Sequence, residues 1–281
     1  MVSQRELKNA IQQASRCERE HIIQLVEEVT KVFKKESRLI HLPESPLIFI
    51  GDTHGDWTAT QALLTKYWET PVTFVFLGDY VDRGPYQIEN ISLLYELKRQ
   101  APNRLILLRG NHETPSVNYR YGFYFEVKQK LGDLYHEYSL SFAEMPLAAK
   151  SSKNRIFAVH GGLSENLNLV KEINALPREE EVNHPVSFQM LWNDPQEHLR
   201  GFAPSMRGGN ARAFGRDVTE QFLKQNNLEL IVRAHEVFLH GFHRYFDNLI
   251  LSLFSCRDYG KPIDGKALYI DNTGTQQIIP V

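Results

Sequence analysis

Cysteine is nearly missing from this chain: of 281 residues, only Cys17 and Cys256 carry a thiol. Two such distant cysteines supply neither a disulfide framework nor a cysteine-based zinc module. A reducing compartment, the cytoplasm, is therefore the default location. An excess of one charge is missing too. With 32 basic and 34 acidic residues the net charge is −2, so no global basic field argues for nucleic acid or an anionic membrane as partner. No apolar run approaches the roughly 18 residues a spanning helix needs, and residues 1–10 have no signal-peptide core. Linkers of low complexity and internal repeats are also lacking. At 42% apolar and 23% charged, the composition is that of a soluble globular chain able to bury a core without staples. Residues 1–281 therefore read as a single domain. Residues 1–40 form its helical cap, with Leu7, Ile11 and Ala14, then Ile22, Leu25, Val26, Val29 and Phe33, recurring at three- and four-residue spacing.

What the chain does have is histidine, eleven in all, several of them beside Asp, Asn or Gly. Metal ligation or proton transfer is the natural chemistry of such positions. They follow a rhythm that begins after Pro43 and Pro46. Short apolar runs at 47–50, 72–77 and 104–108 end at Gly51-Asp52, Gly78-Asp79 and Arg109-Gly110-Asn111, with helical stretches at 57–67 and 87–100 between them. Runs at 156–159 and 228–232 end at His160-Gly161-Gly162 and Arg233-Ala234-His235. Buried strands alternating with amphipathic helices predict a largely parallel sheet. Segments 249–254, 267–270 and 277–280 lack intervening helices, and together they predict a second, more antiparallel sheet.

Ligands of α/β sheets bind at the carboxyl ends of strands, where the loops converge. Those five ends supply Asp52, His54, Asp79, Asp82, Asn111, His112, His160 and His235. Carboxylate, imidazole and amide oxygen together suit Mn²⁺, Fe or Zn²⁺ better than Ca²⁺, and Asp79 stands where it could bridge two ions. Flanking glycines allow sharp turns and close approach. Any one of these ends reads equally well as a plain turn; five in succession do not.

Gly51-Asp52-Thr53-His54-Gly55, Gly78-Asp79-Tyr80-Val81-Asp82-Arg83-Gly84, Leu108-Arg109-Gly110-Asn111-His112-Glu113, His160-Gly161-Gly162-Leu163-Ser164 and Arg233-Ala234-His235-Glu236 resemble the PPP family of metal-dependent serine/threonine protein phosphatases. So do Asn118-Tyr119-Arg120-Tyr121-Gly122-Phe123-Tyr124 and Leu191-Trp192-Asn193-Asp194-Pro195. The resemblance runs from about residue 45 to about residue 271, and the compact chain is most similar to the short prokaryotic, including archaeal, members. It implies a four-layer α/β metallophosphatase fold, two central mixed β-sheets flanked by helices. It also implies two divalent metal ions, Mn or Fe/Zn. Asp52, His54 and Asp79 would hold the first, and Asp79, Asn111, His160 and His235 the second. His112 would be the general acid, oriented by Asp82. Arg83 and Arg207 would bind the phosphoryl group, and Tyr259 would line the site. The substrate would be a phosphoprotein, its phosphoserine or phosphothreonine monoester cleaved by direct attack of a hydroxide bridging the metals. No regulatory subunit is named by these residues. The physics agrees: two dications and two aspartates leave about +2, which attracts a phosphate dianion and acidifies bound water. A protonated imidazole then serves the poor alkoxide leaving group, and guanidinium forks match phosphate oxygens.

Three departures from the family qualify this. The segment around Arg207 is one residue longer than usual, so Arg212 is a rival second phosphate contact. Gly260 stands where eukaryotic members have cysteine, and Asp56-Trp57 replaces a common glutamine, as a packing change. Outside the motifs, His240 and His243 read as surface or strand residues, Glu179-Glu180-Glu181 as a solvated face, and Tyr119, Tyr121, Phe123 and Tyr124 as core. Two other functions compete: hydrolysis of dinucleoside polyphosphates by the same metals, and a non-enzymatic binding module, which the complete set of ligands and acid disfavours.

Overall fold

Ser3 opens the first helix in this computed structural model, which describes residues 3–281; Met1 and Val2 of the predicted cap lie outside the described residues. The Ser3 hydroxyl accepts from Glu6 N–H and the Glu6 carboxylate accepts from Ser3 N–H, a reciprocal cap on α1 (Gln4–Arg16). The sequence reads as one helical stretch, but Cys17 takes a left-handed φ of 49° and ends α1 there. A second helix, α2 (Arg19–Lys35), follows. Next come β1 (Leu39–His41), β2 (Leu47–Ile50), α3 (Trp57–Tyr67), β3 (Thr73–Phe76), α4 (Gln87–Gln100) and β4 (Leu105–Leu107). Helices α5 (Pro115–Tyr121), α6 (Phe123–Leu131) and α7 (Tyr135–Glu144) lead to β5 (Ala148–Ser151) and β6 (Ile156–Val159). Helix α8 (Pro185–Trp192) precedes three short strands, β7 (Asp194–Pro195), β8 (Phe202–Pro204) and β9 (Arg212–Phe214). After α9 (Arg216–Gln225) come β10 (Leu230–Arg233), β11 (Phe242–Tyr245), β12 (Ile250–Leu253), β13 (Lys266–Ile270) and β14 (Gln276–Pro280).

Two mixed sheets result. The first has the order β14-β13-β2-β3-β4, with β2, β3 and β4 parallel through crossover helices α3 and α4. The second has the order β1-β5-β6-β10-β12-β11, with β6, β10 and β12 parallel. The three late segments do not form a sheet of their own. Strand β12 pairs parallel with β10, whereas β13 returns to the first sheet and runs antiparallel to β2, carrying β14 on its outer side. Burial explains this split: β12 is buried throughout, as a central strand must be, and β14 is mostly exposed, as an edge strand can be.

Alternation along each strand builds four layers. Ile48, Ile50, Phe74, Phe76 and Leu107 face helices α1, α2, α4, α6 and α7 in one core. Leu47, Phe49, Val75, Leu77 and Leu108 point the other way and meet Ile156, Ala158, Val232 and Leu251 of the second sheet. Phe157, Val159 and Ile231 face α8 and α9 in a third core. Strands buried on both faces are apolar at every position, which is why these runs show no alternation of polarity. The parallel strands of both sheets end side by side, and Asp52 of the first makes a bridge to Phe254 of the second.

Helix α4 locks this edge. Its Asn90 is fully buried, and the side-chain amide donates to Thr53 Oγ1 at 3.0 Å and to the Tyr80 carbonyl at 2.9 Å, tying the loops after β2 and β3 together. Replacing Asn90→Ala strips Thr53 Oγ1 of this donor and leaves the Tyr80 carbonyl with only the Gly55 N–H, and should lower unfolding free energy by about 1–3 kcal/mol. A urea midpoint unchanged from that of the parent protein would contradict this.

Candidate active site

The sites predicted from sequence converge where the two sheets meet. Asp52, His54, Asp79, Asn111, His112, Arg83, Arg207, His235 and Tyr259 line one cleft of about 170 Å³, with Tyr121, Trp192 and Val237 as further walls. His160 lies fully buried beneath, its Nε2 3.3 Å from Asp79 Oδ1. Five of these residues adopt left-handed backbone: His54 (φ 40°), Asp79 (56°), Asp82 (67°), Arg83 (71°) and His235 (73°). Such strain in non-glycine residues persists only where the surroundings over-determine it. Close approach does so here. A Cβ on Gly84 would stand 1.9 Å from the His54 carbonyl, and one on Gly110 would stand 2.2 Å from Asp79 Oδ1.

The donor atoms form two groups around Asp79. On one side, His54 Nε2 is 3.9 Å from Asp52 Oδ2 and 3.7 Å from Asp79 Oδ2. On the other, donor atoms of Asp79, His160 and His235 lie within 4.8 Å of one another. Geometry alone also admits His112 to the first group, but its Nδ1 is held by Asp82 Oδ2 at 2.8 Å.

This set fits divalent cations. His54 Nδ1 donates to the Val81 carbonyl at 2.8 Å and His160 Nδ1 to the Leu77 carbonyl at 3.0 Å, which leaves each Nε2 as a lone pair facing inward. The His160 Nε2 lone pair then confronts Asn111 Oδ1 at 2.9 Å and His235 Nδ1 at 3.1 Å. With its Nδ1 proton on the Leu77 carbonyl, a neutral His160 presents that lone pair beside the Asn111 amide oxygen, and a bound cation satisfies both. Charge gives the same answer. Burial, and then the neighbouring Asp79, push the Asp52 carboxyl up to about 7. Burial also opposes the Asp79 anion, yet His160 and His112 outweigh it and hold Asp79 well below the ordinary range. Burial and the proximity of His112 press His54 down to about 3.

His112 stands beside this cluster. Burial disfavours its protonated form, but Asp79 and the hydrogen-bonded Asp82 more than compensate, and its pKa is raised. Asp82 in turn accepts from Asn118 Nδ2 and Phe123 N–H, both at 2.9 Å. At the mouth, the Arg83 guanidinium lies 4.1 Å from the Tyr121 ring centroid and 5.2 Å from that of Tyr259. Arg207 enters from the β8–β9 loop, its Nε paired with Asp194 and its Nη2 3.2 Å from the His235 carbonyl. Arg212 points elsewhere, pairing with Glu165 at 3.2 Å.

A model of the calcineurin-like phosphoesterases matches residues 45–238 of this chain. Over 260 residues it is 34% identical to a protein phosphatase 2A catalytic subunit of Dictyostelium discoideum, covering 90% of this chain and 82% of that one. The chain belongs to the PPP serine/threonine phosphatases of the calcineurin-like phosphoesterase family. A Caenorhabditis elegans protein named as a candidate serine/threonine-protein phosphatase is 38% identical over 241 residues, 85% of this chain and 65% of its own length. A solved Saccharomyces cerevisiae serine/threonine phosphatase, described as similar to human phosphatase PP5, superposes with a TM-score of 0.86 at 28% identity. That match covers 94% of this chain and 89% of the other. Membership in this family and the donor cluster together make divalent metal ions the cofactor.

Several contributors to this PPP site carry no role in the sequence reading, although they stand inside or beside its motifs. Asn118 follows His112 by six residues, and Asp194 follows the Trp192 wall by two. Asp56 caps α3 and accepts from Arg257 N–H at 2.8 Å, joining the loop of Asp52 and His54 to the Tyr259 loop, a tie beyond mere packing. The expected aromatic core is only partly one: Phe123 is buried and Tyr121 lines the cleft, but Tyr119 is 61% exposed because it lies on the outer face of α5. Glu179-Glu180-Glu181 is only partly a solvated run: Glu181 is exposed, but Glu179 and Glu180 are half-buried. The Glu179 and Glu180 carbonyls accept from buried Arg109, and the Glu181 carboxylate holds Ser116. His240 and His243 are exposed, as predicted. Among the described residues no helix is long and apolar enough to cross a membrane.

Glu113 matters most among the unassigned residues. Its fully buried carboxylate accepts from Asp79 N–H (2.8 Å), Tyr80 N–H (2.9 Å) and Gly110 N–H (2.9 Å), fixing two of the loops that bear donors. Glu113→Gln replaces an acceptor by a donor facing N–H groups and should weaken metal binding by about 10- to 100-fold. Titration with Mn²⁺ followed by equilibrium dialysis reads this, and parent-like affinity would contradict it.

Proposed function

We propose that this chain hydrolyses phosphoserine and phosphothreonine monoesters of proteins in the cytoplasm. Two ions would be held, one by Asp52, His54 and Asp79 and the other by Asp79, Asn111, His160 and His235, with Asp79 shared. Mn²⁺, Fe or Zn²⁺ all suit these ligands. Bound there, such ions supply Lewis acidity and lower the pKa of water enough to make a nucleophile near neutral pH.

The chain's own residues do the rest. Arg83 and Arg207 both line the cleft and grip the phosphoryl oxygens as planar forks. Arg83 is stiffened by the Tyr121 ring, Arg207 by Asp194. Tyr259 closes the side nearest Arg83. His112, kept an imidazolium by Asp82, gives its Nε2 proton to the seryl or threonyl oxygen as the ester bond breaks, while its Nδ1–H stays on the ring and donates to Asp82. The single observation carrying this reading is the 2.8 Å His112–Asp82 contact beside a shared-carboxylate donor cluster, with two arginines lining the same cleft.

The decisive assay is phosphate release from a phosphothreonine peptide by chelator-stripped protein, with and without Mn²⁺. Metal-restored turnover is the expected outcome; a strong preference for a dinucleoside polyphosphate in a parallel assay would overturn the substrate. His112→Asn should lower turnover by about 10²- to 10⁴-fold, and a loss of only a few-fold would remove His112 from the acid role. Asp79→Asn should deplete bound metal, measurable by elemental analysis.

A further inference from the structure

Apolar surface gathers on one side of the cleft. Among the described residues seven large apolar side chains are exposed, and three of them, Met206, Val237 and Leu239, belong to the two segments that bring Arg207 and Val237 to the rim. Met206 precedes Arg207 in a turn closed by the Gly208 N–H on the Ser205 carbonyl at 3.1 Å. Arg207 Nη2 donates to the His235 carbonyl at 3.2 Å, which holds this turn against segment 235–239. Within that segment Phe238 is half-buried and stacks on the His243 ring at 5.2 Å, while Val237 and Leu239 on either side of it are exposed. The Leu239 carbonyl accepts from the Asp264 N–H at 3.0 Å, which ties its far end to the loop that carries Tyr259. Met206 is fully exposed and Leu239 is 56% exposed, so neither is spent on the core.

The acids of the neighbouring segments are answered within the chain. Glu236 pairs with Arg233 at 2.6 Å and accepts from the Tyr245 hydroxyl at 3.0 Å, Asp194 is shared by Arg207 and Arg233, and Asp264 pairs with Lys266 at 2.6 Å. A basic residue arriving here meets no unpaired carboxylate among these, and an acidic one competes with the phosphoryl group for Arg207. An apolar side chain instead buries itself against Met206 and Leu239, and the unbranched Met206 thioether adapts to its shape. We propose that Met206 and Leu239, with Val237, select phosphoprotein sites in which an apolar residue stands next to the phosphorylated one. The inference rests on the proposed reaction for its occupant. A protein chain that delivers its phosphate to Arg83 and Arg207 must cross the rim, and an extended chain advances only about 3.3–3.6 Å per residue. The side chains beside the phosphorylated residue are therefore the ones that reach this ledge.

The test is fluorescence anisotropy of the whole, Mn²⁺-loaded protein with labelled peptides built on a non-hydrolysable phosphonate analogue of phosphoserine, flanked on both sides by Leu, Ser or Lys. The Leu peptide should bind about tenfold or more tighter than the Ser and Lys peptides, and its lead over the Ser peptide should persist at high salt, because no ion pair carries it. Met206→Asp and Leu239→Asp, both at exposed positions that leave the core intact, should each cut that lead at least threefold. Equal binding of the three peptides, binding of none, or a lead that survives in both variants would overturn the proposal. Hydrolysis of p-nitrophenyl phosphate, which has no flanking residues, is measured in parallel. Its absence would count against the proposed reaction alone, and its presence with no discrimination among the peptides would count against the ledge alone.

Discussion

Two carboxylates, Asp52 and Asp79, are held out of water in the company of three imidazoles and an amide oxygen, and much of the structure answers to the electrostatics of that arrangement. Burying one anion costs several kcal/mol unless a countercharge is supplied. The two aspartates respond in opposite directions: Asp52 is driven up by burial and by Asp79, whereas Asp79, at the centre, is held down by the surrounding imidazoles. Neither arrangement is comfortable without cations, and the inward-facing acceptors of His160 and Asn111 make the same demand. The site is therefore a receptor for positive charge before it is a catalyst.

Holding mutually repelling groups in place requires stiffness, and the two facing sheets provide it. Their parallel strands end side by side, and each turn that follows is pinned by a buried polar bond: Asn90 across the first two loops, Glu113 across the second and third, and Asp52 Oδ1 to His235 N–H across the sheets. With the loops fixed this way, left-handed φ at five non-glycine residues is tolerated. Gly84 and Gly110 matter for a different reason: no Cβ fits where one loop leans on the next.

The side proposed to grip phosphate is built to another standard. Arg83 is held from within its motif and is flanked by aromatic rings, but Arg207 comes from the loop between two three-residue strands, near Gly208 and Gly209 with φ of 79° and 57°. Its orientation depends on Asp194, which also pairs with the buried Arg233 at 2.8 Å. Arg233 in turn donates to the Gly161 carbonyl beside His160. A chain of polar contacts thus runs from the end of the His160 strand to Arg207.

Local order in the sequence was enough to reveal the alternation of strand and helix, the position of every donor residue at a strand end, and the pairing of His112 with Asp82 through the family resemblance. These are properties of short segments: an apolar run is buried wherever it lies, and a glycine-bordered turn after it is a turn in any context. What the segments do not carry is which strands become neighbours. The separation of β12 from β13, the antiparallel return of β13 to β2, and the small β7–β9 sheet that aims Arg207 depend on contacts between residues far apart in the chain. That Arg207 lines the cleft while Arg212 points elsewhere follows from that small sheet, since one residue of loop length cannot be read as a direction. The outer face of α5, which exposes Tyr119, and the capture of the Glu179–Glu180 carbonyls by Arg109 belong to the same class. Sequence determined which donor and charged groups stand at the strand ends, because their types and local turns are intrinsic; tertiary structure alone decided which of them meet, because meeting is a matter of long-range packing.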